Sequence, residues 1–169
     1  GTYGSADECG GTSETSSWHG SHVAGPFGAS GDNGYGIVGV DWRARLMPVR
    51  VLGRCGSGST VDITEGMLWA AGGSIPGVPA NPTPARVVNL SIGGPGECTT
   101  FEQDAFDEAL SRGALVVVSA GNDNDNADGY SPASCYGVST VVATDPYGYR
   151  ASYSNYSAYA DISAPGGDS

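Results

Sequence analysis

Short apolar runs separated by glycine and proline recur along the chain, and their periods predict which elements they form. "YGIVGV" (35–40) and "ARLMPVRVL" (44–52) are β-branched and apolar, which predicts two buried strands. "VDITEGMLWAAGG" (61–73) changes to helical spacing, with Ile63, Met67 and Ala70 or Ala71 on one face and Asp62 and Glu65 placed as a capping box. "SIPGVPANPTP" (74–84) is too rich in proline for anything but a loop, and "ARVVNLSIGG" (85–94) after it reads as a strand. "TTFEQDAFDEALSRG" (99–113) is the clearest helix, capped by threonine and closed by Arg112 and Gly113. "ALVVVSAG" (114–121) and "GVSTVVATD" (137–145) are apolar throughout rather than alternating, as parallel strands covered on both faces are.

Strand and helix in alternation predict an α/β fold, an open and mainly parallel sheet with helices on both faces. Ligands of such sheets bind at the carboxyl ends of the strands. Function is therefore expected just after "VVNL" and "LVVV", where "SIGG" and "SAGN" lie. "NDNDNAD" (122–128) reads as a solvated loop, because it lacks the glycine and terminal glutamate of an EF-hand.

Composition narrows the partners. The 169 residues carry 18 acidic and 7 basic groups, a net charge of -11, and every base is arginine. Such a surface repels phosphate, so nucleic acid is not an expected partner. No apolar run approaches the roughly 20 residues that a membrane-spanning helix needs, so no membrane is expected either. The chain starts at Gly1 with neither a charged n-region nor an apolar h-region, and reads as a piece of something longer. Cys9, Cys55, Cys98 and Cys135 are dispersed without a C-x-x-C pair, which argues against a zinc ribbon and for two disulfides formed in an oxidising compartment. Four cysteines allow three connectivities, and spacing alone does not choose among them.

The only two histidines, His19 and His22, stand in "SSWHGSHVAG". An H-x-x-H pair with no Cys, Asp or Glu beside it on the helix is poorly equipped to hold a metal, which leaves a catalytic base with a structural neighbour, or two structural side chains. Asn122 follows a buried strand and a glycine, and a neutral amide donor at that place suits an oxyanion hole, where negative charge develops during acyl transfer. The two glycines of "SIGG" leave backbone groups unobstructed, so a peptide could add there as a strand.

Taken together, "HGSHVAG", "VVNLSIGG", "VVVSAGND" and "YSNYSAYADISAPGG" resemble the successive signature blocks of the subtilisin-like serine proteases, from about residue 16 to the end and in family order. "PVRVLGRCGSG", "SPASC" and "RASYSNY" are most similar to segments of secreted bacterial alkaline proteases. The resemblance implies that the chain is the central part of a single subtilisin-like peptidase domain, secreted and extracellular, acting on protein or peptide substrates. It makes His19 the general base and His22 a structural helix residue, with Ser21 in place of the usual threonine. Asn122 becomes the side-chain donor of the oxyanion hole, and Ser91, Ile92 and Gly93 with Ser119, Ala120 and Gly121 become the two walls of the pocket before the scissile bond. It further implies disulfides Cys9–Cys55 and Cys98–Cys135, and a structural calcium ion held by Asp161 with carbonyls of "SPASCYGV".

The family's order of catalytic groups is Asp, His, Ser. Nothing before His19 resembles the strand block that bears the aspartate, and Asp7 in "GSADECGG" has no strand around it. The serine block follows the A-P-G-G motif in the family, and here "APGGDS" ends in Ser169 without it. The expectation is a chain incomplete at both ends, inactive alone, whose partners include the remaining segments of the same protease. Two other readings stay in view: a secreted, non-catalytic peptide-binding relative that uses the "SIGG" edge, and a metal-dependent hydrolase built on the two histidines.

Overall fold

Valine-rich runs in the second half of the chain form the sheet. The computed structural model describes residues 18–53 and 55–168, and the chain divides into two compact units whose boundary in sequence falls between Gly66 and Met67. In the second unit lie β1 (Val87–Leu90), β2 (Gly94–Pro95), β3 (Leu115–Ser119), β4 (Tyr130–Ser131), β5 (Ser139–Thr144) and β6 (Ile162–Pro165). Strands β1, β3, β5 and β6 make one sheet in the order β1-β3-β5-β6, parallel at every step, while β2 pairs antiparallel with β4. A parallel pair needs a long crossover, and the residues between β1 and β3 supply one that contains a helix.

That helix, α3, is the third of the chain after α1 (His19–Gly28) and α2 (Thr60–Ala70), and spans Thr100–Ser111. Thr99 accepts from the Glu102 amide at 3.3 Å while the Glu102 carboxylate accepts from the Thr99 amide at 2.9 Å, so the box satisfies two donors that a helix start leaves open. Ala105, Phe106 and Ala109 form its buried stripe, and Gly113, at φ +82°, ends it in a left-handed turn. Val116 and Val118 of β3 are 0% and 1% exposed and Phe106 is 2% exposed, which places the centre of the core between α3 and β3. Val117 between them is half-buried, so the two faces of β3 are closed unequally.

Helix α2 starts otherwise than its acidic residues suggested. The reciprocal pair is Ser59 with Asp62, the hydroxyl donating to the carboxylate at 2.8 Å and accepting the Asp62 amide at 3.0 Å; Glu65 has no part in it. At the other end, Asn81 donates its side-chain amide to the carbonyls of Trp69 and Ala70, so the proline-rich loop closes the helix that precedes it.

In the first unit the two expected strands are absent among the described residues. "YGIVGV" instead caps α1: the amides of Gly39, Val40 and Asp41 donate to the carbonyls of Ala29, Pro26 and Phe27 at 2.9, 2.9 and 3.0 Å. Gly39 is obligatory there, since a Cβ would stand 2.4 Å from the Ala29 nitrogen. Residues 44–52 join no ladder among the described residues, and Pro48 has no amide to give one. Val51 lies against Gly66, where a Cβ would be 2.4 Å from its Cγ1. A run of apolar residues supplies the face of a strand, but only a neighbour with matching amides and carbonyls makes it one.

Candidate active site

The register of β1 on β3 pairs Leu90 with Val118, which brings Ser91–Gly93 and Ser119–Asn122 side by side where both strands end. These two segments line a cleft of about 230 Å³, together with Gly94, Asp123, Tyr130, Ser131 and Ala133. All six wall residues expected from the sequence, and Asn122, therefore share one cavity. Asn122 is exposed at the cleft, directly after Gly121, whose φ of +109° turns the chain out of β3. An exposed amide at the end of a rigid buried strand is available to a developing oxyanion.

Two short strands and a helix residue complete the cleft. β2 and β4 pair Gly94 with Ser131 and Pro95 with Tyr130, so β4 already occupies the sheet edge that follows "SIG". A peptide adding there has only residues 91–93 left to pair with. Ser131, which a cis peptide joins to Pro132, donates its hydroxyl to Glu102 at 2.5 Å. Burial pushes the Glu102 carboxyl up, but the hydrogen bonds from Ser131 and from the amide and hydroxyl of Thr99 outweigh it and hold the group below its ordinary value. The same carboxylate thus starts α3 and fixes a cleft wall. Beside it, Cys98 and Cys135 form a disulfide with Cα atoms 5.1 Å apart, as expected, and the Cys98 amide donates to Ser134 at 2.9 Å. Cys55 is also disulfide-bonded, whereas Cys9, its expected partner, lies outside the described residues.

At the mouth of the cleft, the Tyr130 hydroxyl lies 3.4 Å from Asp125. Burial raises its pKa first, and the charges of Asp123 and Asp125 raise it further, because a phenolate there would meet like charge. The acidic stretch 122–128 is thus partly structure: Ala127–Gly129 form a 3-10 turn with Asn126 as its cap.

His19 opens α1 in the first unit and is exposed; Trp18 before it takes the left-handed conformation at φ 53° and offers no side-chain cap. His22, expected as a structural residue, is exposed one turn on, with its amide donating to the Trp18 carbonyl at 2.9 Å. The residues that line the cleft all belong to the second unit. Two of the three serines there are engaged: Ser91 accepts from Asn89 at 2.9 Å, and Ser131 donates to Glu102.

Asp161 accepts the Thr140 amide at 2.8 Å, and the Ala133 carbonyl takes the Thr140 hydroxyl at 3.0 Å. Among the described residues no three or more His, Cys, Asp or Glu side chains gather as metal ligands. A calcium ion takes six to eight oxygens. A single carboxylate, Asp161, leaves most of such a shell to backbone carbonyls and water.

A model of the subtilase family matches residues 4–169. The chain is 49% identical over 168 residues to the extracellular protease of Xanthomonas campestris pv. campestris, a match covering 98% of this chain and 29% of that protein. With the extracellular basic protease of Dichelobacter nodosus it shares 52% identity over 151 residues, 89% of this chain and 25% of that protein. Among solved structures, a protease of Pseudoalteromonas arctica superimposes with a TM-score of 0.93 at 49% identity, over 99% of this chain and 49% of that one. The chain belongs to the subtilase family. It spans between a quarter and a third of the two curated relatives named, and about half of the solved structure.

Proposed function

We propose that these residues are the central part of the peptidase domain of a secreted serine endopeptidase. The observation that supports it is the convergence of Ser91–Gly93, Ser119–Gly121 and Asn122 on one cleft at the carboxyl ends of two parallel strands. An extended peptide would lie along Ser91–Gly93 and place the side chain before the scissile bond in the cleft. Asn122 donates its amide to the carbonyl oxygen as that oxygen takes on negative charge.

The nucleophile and the acid that orients the imidazole belong, on this reading, to the remaining segments of the same protease. A serine hydroxyl adds to the scissile carbonyl, and His19 accepts its proton and passes it to the departing amine. An acyl ester remains, and water cleaves it by the same proton route. Without the serine no ester forms, so the isolated chain is inactive.

The test is made on the intact protease that carries this sequence. An active-serine reagent should abolish its proteolysis and add one label per molecule, while EDTA leaves the chemical step running. Activity that survives the reagent but disappears with the chelator would overturn the proposal in favour of a metal-dependent hydrolase.

A further inference from the structure

Asn155 belongs to none of the cleft walls, yet it is 0% exposed and holds the turn that carries Asn122 from both sides. Its side-chain oxygen accepts the backbone amides of Asp123 at 2.8 Å and Asp125 at 3.1 Å, and its backbone N–H donates to the Gly121 carbonyl at 3.0 Å. Residues on either side of Asn122 are thus tied to one buried side chain and its backbone. The neighbours of Asn155 extend the clamp: the Tyr153 carbonyl accepts from Asn124, and the Tyr156 amide donates to Asp125. Asn124 sits at φ 53°, a conformation a free loop would leave readily.

The clamp is anchored in the sheet. Ser154, 1% exposed, accepts the Ala143 amide of β5 at 2.9 Å and donates to the Asn155 carbonyl at 2.9 Å. The side-chain nitrogen of Asn155 has no hydrogen-bond partner among the described residues and lies 2.4 Å from where a Cβ on residue 121 would stand. An orphaned buried donor costs stability. Position 121 is left to glycine by the same contact.

We infer that Asn155 is a positioning residue for catalysis: it fixes the direction of the Asn122 side-chain amide by accepting from the backbone amides of Asp123 and Asp125. The inference rests on the assignment of Asn122 as oxyanion donor. In the intact protease, Asn155→Ala should lower kcat about 10- to 100-fold, part of the 10²–10³ that the donor itself contributes in a subtilisin, with KM changed less than about threefold. In an Asn122→Ala background the same substitution should cost less than about threefold in kcat, because the group it positions is gone.

Asn122→Ala comes first in the series, and an unchanged kcat there would remove the catalytic assignment itself. A large Asn122→Ala effect with Asn155→Ala fully additive to it, or without effect alone, would overturn only the positioning role. Should Asn155→Ala fail to fold, Asn155→Ser replaces it, keeping a buried polar group too short to reach both amides. Loss of the fold in both variants would mark Asn155 as purely structural and likewise overturn the inference.

Discussion

Residues 35–52 and 85–120 carry the same kind of apolar, β-branched runs and end as different structures. In the later region "RVVNL" and "LVVVS" find each other in register, Val87 to Leu115 through Leu90 to Val118, and close over a core in which Val116 and Phe106 are almost fully buried. In the earlier one Val40 is 92% exposed and Tyr35 84% exposed, and the amides of Gly39, Val40 and Asp41 close a helix instead of joining a ladder. The difference is not in propensity but in the neighbour. A strand is a relation between two segments, and apolar content states only one half of it.

That contrast is measurable by truncating one side chain in each region. Phe106→Ala should destabilise the chain by about 3–5 kcal/mol, since it empties the contact of α3 with β3, whereas Val40→Ala should change stability by less than about 0.5 kcal/mol. Thermal unfolding of the two variants gives both numbers, and equal losses would erase the distinction. Opening the disulfide between Cys98 and Cys135, 37 residues apart, with Cys98→Ser and Cys135→Ser together should cost about 2–4 kcal/mol by freeing the unfolded chain. The loss should be read as a lower denaturant midpoint, and an unchanged midpoint would mean that the staple adds nothing to the cleft side of the sheet.

A smaller effect follows from Glu102. Its folded pKa is lowered from an ordinary 4.5, so it binds its proton less readily folded than unfolded. The stability it adds is fully present above that ordinary value and is lost as pH falls through the folded one. Between neutral pH and about 5 the curve should therefore be flat for this group, with the loss below. Glu102→Gln should remove that part of the acid limb, about 1 kcal/mol or less for a partly solvated carboxylate. An acid limb identical in the variant would show that the hydrogen bonds from Ser131 and Thr99 do not favour the ionised form.

Much of this was legible in the letters. The threonine before α3, Arg112 and Gly113 after it, and the unbroken valines of β3 and β5 predicted elements that formed within a few residues of their expected ends. The two cleft walls were legible because each combines a strand end with small residues. Asn155 and Glu102 were not, for a physical reason: what they do depends on groups some 30 residues away that the fold brings to them. An asparagine in "YSNYS" and a glutamate at the third position of a helix are locally ordinary. Strands β4 and β6 were missed because "YS" and "ISAP" are short and acquire their pairing only from β2 and β5.

The central claim, that the cleft at the ends of β1 and β3 is an acyl-transfer site with Asn122 as its side-chain donor, is tested most directly by kcat of Asn122→Ala in the intact protease. A fall of about 10²–10³ with KM nearly unchanged is the predicted result, its size taken from the same donor in a subtilisin. A kcat within twofold of the unsubstituted enzyme would contradict it.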